Sequence, residues 1–120
     1  MQETQEHIAS IPFPYDIRFT DSEASAAVRF QIEQQLVKLS RVYDRITDCR
    51  VAVMIPHKHS ATRHFHIQIQ LDIPGKRLAV SRDPEASDDH VQVGRAVSDA
   101  FHKLTRQLED FLKARNRAVI

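Results

Sequence analysis

Phe65, Ile67, Ile69, Leu71 and Ile73 alternate without a break with His64, His66, Gln68, Gln70 and Asp72. A period of two over that length predicts a half-buried strand. Pro74-Gly75 follows as a turn pair, and Leu78 and Val80 mark a short return strand, so the segment reads as a hairpin. Upstream, Cys49, Val51, Val53 and Ile55 alternate with Arg50, Ala52 and Met54 until Pro56 ends the run. Tyr15, Ile17 and Phe19 alternate with Asp16, Arg18 and Thr20 as a short first strand.

Two stretches keep the helical period instead. Val28, Ile32, Leu36, Leu39 and Tyr43 recur at steps of four, four, three and four, which predicts a helix ending near Tyr43. Thr20 is its expected N-cap, with Glu23 at the capping-box spacing. A second helix is expected from about Ser87 or Asp88, with Val93, Val97, Ala100, Leu104, Leu108 and Phe111 as its core face. Arg95, Asp99, Lys103, Arg106, Asp110 and Lys113 fall on the opposite face. The fold class is therefore α+β with the order β-α-β-β-β-α. A four-stranded, largely antiparallel sheet carries both helices on one face. The open face presents His64, His66, Gln68, Gln70 and Asp72.

The 120 residues suffice for a single domain. Pro12 and Pro14 disfavour regular structure around Phe13, so 1–13 reads as a flexible arm, 14–115 as the domain and 116–120 as a tail. Only 2 glycines are present, which rules out a glycine-rich phosphate loop. The single Cys49 allows no disulfide framework and fits a reducing compartment. No apolar run is long enough for a membrane span, and the polar, acidic start lacks the features of a secretory signal. A cytoplasmic protein with no membrane partner is expected.

The formal net charge of +1 conceals a strong asymmetry. Residues 1–33 carry a balance of −4, and residues 41–82 a balance of +5. His57, His59, His64 and His66 lie in the same basic middle. A basic centre is either a solvated surface or a polyanion site.

Catalysis has little support. Cys49 sits in the apolar register of its strand, as a buried small hydrophobe rather than a reactive thiolate. No serine nucleophile motif is present, and the carboxylate pairs Asp88-Asp89 and Glu109-Asp110 lie in helical contexts. His64 and His66 share a strand face and can chelate zinc with Asp72 or His57, but spacing fixes no third ligand. The plainer reading is an exposed polar sheet face without metal or cofactor. Phe30 and Val37, seven residues apart on the outer side of the first helix, form an apolar pair. A protein partner, weak self-association or the arm (Ile8, Ile11, Phe13) can cover it.

RNA binding fits the charges better. Arg41 and Arg45 close the first helix, Lys58 and Arg63 flank the loop between strands, and Lys76, Arg77 and Arg82 surround the hairpin. Aromatic residues are only 7%, with no Trp, so base stacking gives way to contacts with the phosphates of folded RNA.

The run Leu39-Ser40-Arg41-Val42-Tyr43-Asp44-Arg45-Ile46-Thr47, followed by the strand Cys49 to Ile55, resembles the helix-to-strand junction of the ribosome hibernation-promoting factors. These are also known as ribosome-associated inhibitors, protein Y or sigma-factor modulation proteins. Asp89 through Leu108, especially Val93, Ala96, Asp99 and Lys103 to Leu108, resembles that family's final helix. The resemblance covers roughly residues 14–115. It implies a fold similar to a double-stranded-RNA-binding domain with an added first strand. It also implies a partner, the small ribosomal subunit and its 16S rRNA, whose messenger and transfer RNA channel the protein would occupy under stress. Neither catalysis nor a cofactor is implied. Carried over by position, the rRNA contacts are Lys38, Arg41 and Arg45 on the first helix and Lys103, Arg106 and Lys113 on the last. The alternative is a protein–protein interaction module using the open sheet face or Phe30 and Val37.

Overall fold

The computed structural model describes residues 11–20, 24–54, 66–82 and 93–118. In chain order the elements are β1 (Tyr15–Thr20), α1 (Ala26–Val42), β2 (Asp48–Met54), β3 (His66–Ile73), β4 (Lys76–Arg82) and α2 (Val93–Ala118). The strands form one sheet in the order β1-β2-β3-β4. β2 with β3 and β3 with β4 are antiparallel, while β1 lies parallel to β2. The α+β architecture and the largely antiparallel sheet are as the periodicities predict.

The strand period sorts the side chains by face. Ile17, Val51, Val53, Ile67, Ile69, Leu71, Leu78 and Val80 all point into the core. Against them α1 packs Val28, Ile32, Leu36 and Leu39, and α2 packs Val97, Ala100, Leu104 and Leu108. Each large aliphatic side chain so buried contributes roughly 1.5–3 kcal/mol. Ile11 and Phe13, assigned to the arm by the sequence reading, pack on this core, and Phe13 is buried. At the hairpin, Gly75 has φ +78°, a conformation that favours glycine, and lets β3 turn tightly into β4.

The first helix starts later than its sequence signals suggest. Thr20 is not its N-cap but the last residue of β1, in register with Met54 of β2. The cap is Ser25, whose backbone is extended and whose hydroxyl accepts a 3.2 Å bond from the Val28 N–H. Sheet pairing holds the backbone at Thr20 extended, so the chain turns into the helix only afterwards. The expected start of the second helix, at Ser87 or Asp88, lies outside the described residues.

Polar contacts fix the layers. The Tyr15 hydroxyl donates a 3.0 Å bond to the buried Glu33 carboxylate, tying β1 to α1. Burial, together with that carboxylate, raises the Tyr15 pKa. Gln31 Nε2 donates to the Gly94 carbonyl at 2.7 Å and to the Ser98 hydroxyl at 3.2 Å, joining the two helices. At their far ends Arg115 donates to the Tyr43 hydroxyl at 2.9 Å. Its guanidinium carbon lies 5.5 Å from the centre of the Phe111 ring, and Lys76 Nζ lies 5.8 Å from the same ring. The helices thus run side by side in the same direction.

Candidate nucleic-acid interface

That parallel arrangement brings the basic ends of both helices to one end of the layer. Lys38 and Arg41 on α1, Arg45 just beyond it, and Lys103, Arg106 and Lys113 on α2 are all exposed. Arg41 lies in the last turn of α1, where a cation also complements the helix dipole, as Arg115 and Arg117 do in α2. Between the helices lies an open groove of about 510 Å3 lined by Gln35, Lys38, Val42, Ser98, Asp99, Phe101, His102 and Thr105. Arg95, His102 and Arg117 extend the solvent face of α2; the sequence reading placed Arg95 on that face without making it an RNA contact, and did not single out His102 or Arg117. Their signal was present: 95, 102, 106, 113 and 117 step by seven, four, seven and four, one side of a helix.

The sheet face opposite has a different electrostatic character. Arg18 Nε donates to Asp16 at 2.6 Å, Arg50 Nε to Asp48 at 3.1 Å, and Arg77 to both oxygens of Asp72 at 2.7 and 3.3 Å. The Arg77 hydrogen bond holds the Asp72 carboxyl below its ordinary pKa. These pairs leave the described part of the open face balanced in charge around a shallow depression of about 490 Å3. Arg77 is therefore engaged with Asp72, and Lys76 with the Phe111 ring. Lys58 and Arg63 lie outside the described residues, and Arg82 ends β4.

The open face carries His66, Gln68, Gln70 and Asp72, as the alternation predicts. His57, His59 and His64 lie outside the described residues. Among the described residues no group of three or more His, Cys, Asp or Glu is gathered as a metal would require. Phe30 is 47% exposed, and Val37 is half-buried. No helix among the described residues is long and apolar enough to cross a membrane.

Cys49 is fully buried, and its thiol is pushed up to about 12 by burial, with the charges of Asp48 and Asp72 adding to the effect. The neutral thiol therefore prevails at neutral pH. Alkylation by iodoacetamide should be negligible in the folded protein and rapid in denaturant, as read by mass spectrometry. Fast labelling without denaturant would contradict the burial.

Residues 15–116 match the model of a family described as sigma 54 modulation protein / S30EA ribosomal protein. A ribosome hibernation promotion factor of Deinococcus radiodurans is 28% identical over 97 residues, which cover 81% of this chain and 48% of that protein. The chain thus spans about half the length of this curated relative. The N-terminal domain of protein Y from Thermus thermophilus superposes with a TM-score of 0.64 at 23% identity, covering 82% of this chain and 97% of that one. A ribosomal subunit interface protein from Coxiella burnetii gives 0.63 at 18% identity, with the same two coverages. At those identities the structures establish the shared fold. The extent of the family match, spanning every element from β1 into α2, places this chain in the sigma 54 modulation protein / S30EA ribosomal protein family.

Proposed function

We propose that this chain is a ribosome hibernation factor of the cytoplasm. It binds the small ribosomal subunit through contacts between its Lys and Arg side chains and 16S rRNA phosphates. Bound there, it occupies the messenger and transfer RNA channel and inhibits translation by occupancy, without catalysis. The observation that carries this reading is the set of exposed lysines and arginines on the two helices, lying within the family match. Lys38, Arg41, Arg45, Lys103, Arg106 and Lys113 supply the contacts. Phosphate contacts from two parallel helices give a fixed spacing of charges, which suits folded RNA rather than a flexible strand. The neutralised sheet face supports the same assignment, because arginines held by aspartates are poorer phosphate ligands.

Competition tests the channel. Labelled messenger and initiator transfer RNA are bound to purified small subunits, and the chain is added. Displacement of both, at chain concentrations near its own dissociation constant, is the expected result. Simultaneous binding of all three would contradict occupancy of the channel.

A further inference from the structure

The outer edge of β1 carries a self-complementary pattern. β1 is an end strand of the sheet, and no described strand pairs with its far side. The Cys49 N–H donates to the Pro14 carbonyl, so the polar backbone groups of Pro14, and by alternation those of Asp16 and Arg18, face β2. Those of Tyr15, Ile17 and Phe19 then point outward. The Arg29 side chain confirms this direction by donating a 3.2 Å bond to the outward Ile17 carbonyl, while lying 5.9 Å from the Phe19 ring centre. Among the described residues a single guanidinium, that of Arg29, bonds the outward backbone, a light guard for an edge of this length.

We infer that this edge pairs with the β1 edge of a second copy, antiparallel, about a two-fold axis at Ile17. In that register Ile17 faces the partner's Ile17, and Tyr15 faces the partner's Phe19. The residues with outward backbone groups thus meet each other and exchange N–H···O=C bonds in pairs. On the open sheet face Asp16 then faces the partner's Arg18, and Arg18 the partner's Asp16. On the helix face the aromatic pair Tyr15 and Phe19 comes together across the seam. The two-fold registers centred one residue away set Asp16 against Asp16 or Arg18 against Arg18. Charge therefore selects the Ile17 register. Both side chains are accessible, Arg18 being 79% and Asp16 49% exposed, and their ion pair within one copy is exchanged for the two pairs across the seam. Arg29 must leave the Ile17 carbonyl for pairing to occur, which keeps the association weak and dependent on concentration. The result would be an eight-stranded sheet made of two copies, a closed symmetric dimer rather than a growing fibre.

Sedimentation equilibrium of the full chain from micromolar to millimolar concentration tests this. The unaltered chain should pass from monomer to dimer. Asp16→Arg alone and Arg18→Asp alone each place like charges across the seam and should weaken dimerisation about tenfold or more. An equimolar mixture of those two variants restores opposite charges at both contacts, and so does the double variant, so each should dimerise at least as well as the unaltered chain. A chain that stays monomeric throughout overturns the inference. So does a dimer indifferent to both single changes, or one that neither the mixture nor the double variant restores.

Discussion

A chain carrying Lys38→Glu, Arg41→Glu and Arg106→Glu together is expected to bind small ribosomal subunits about a thousandfold more weakly at low salt, since each lost phosphate contact costs about tenfold. All three side chains are exposed, so far-ultraviolet circular dichroism should be unchanged. The dependence of log affinity on log salt should also flatten by about 3, one for each contact removed. Arg77→Ala is the contrasting variant. Its guanidinium is occupied by both oxygens of Asp72 on the opposite layer of the molecule, so binding should hold. Equal losses from the two variants would place the interface elsewhere.

Phe101→Ala should have the largest effect on stability. The ring is 1% exposed and lies under the groove between α1 and α2, where it fills the space between the helices and the sheet. Truncating a buried phenylalanine loses its transfer free energy and leaves a cavity, together about 3–5 kcal/mol. That is a large part of the roughly 5–15 kcal/mol by which a domain is stable. Urea unfolding should show a much lower midpoint with a similar slope. A loss under about 1 kcal/mol would mean that the helices close over the gap, and would contradict a tightly packed layer.

Phe101 also illustrates what the sequence conceals. The helical stripe from Val97 through Ala100 to Leu104 marks the centre of the buried arc. The arc is wider because α2 meets a second helix as well as the sheet, and Phe101 and Ala96 at its margins are equally buried. The strands were more legible. Alternation in β3 placed Ile67, Ile69 and Leu71 inward without ambiguity, since among the described residues one face of the sheet carries the helices and the other is open. The parallel pairing of β1 with β2 left no local trace, because it depends on where α1 returns the chain. The helix start was misplaced for a related reason: Thr20 has good capping chemistry, but pairing with Met54 holds it in the sheet.

The charges divide along the same line. Exposure of Lys38, Arg41, Arg106 and Lys113 follows from helical period, and the structure has them exposed. Which arginines are already engaged was written in a pattern left unread. Asp16-Ile17-Arg18 and Asp48-Cys49-Arg50 set acid and base two apart on one strand face, and the hairpin at Gly75 sets Asp72 opposite Arg77. The clasp of Arg115 on Tyr43 and Phe111 needed the folded chain, since its partners are distant in sequence or one helical turn away on a face assigned to the core.

The central claim is that exposed lysines and arginines on the helix layer hold this chain to ribosomal RNA phosphates. Its most direct test is the affinity of the unaltered chain for purified small subunits over a series of salt concentrations. The prediction is tight binding at low salt and a steep linear fall of log affinity with log salt, with a slope reflecting several phosphate contacts. Absence of binding at low salt, or an affinity that does not change with salt, would contradict it.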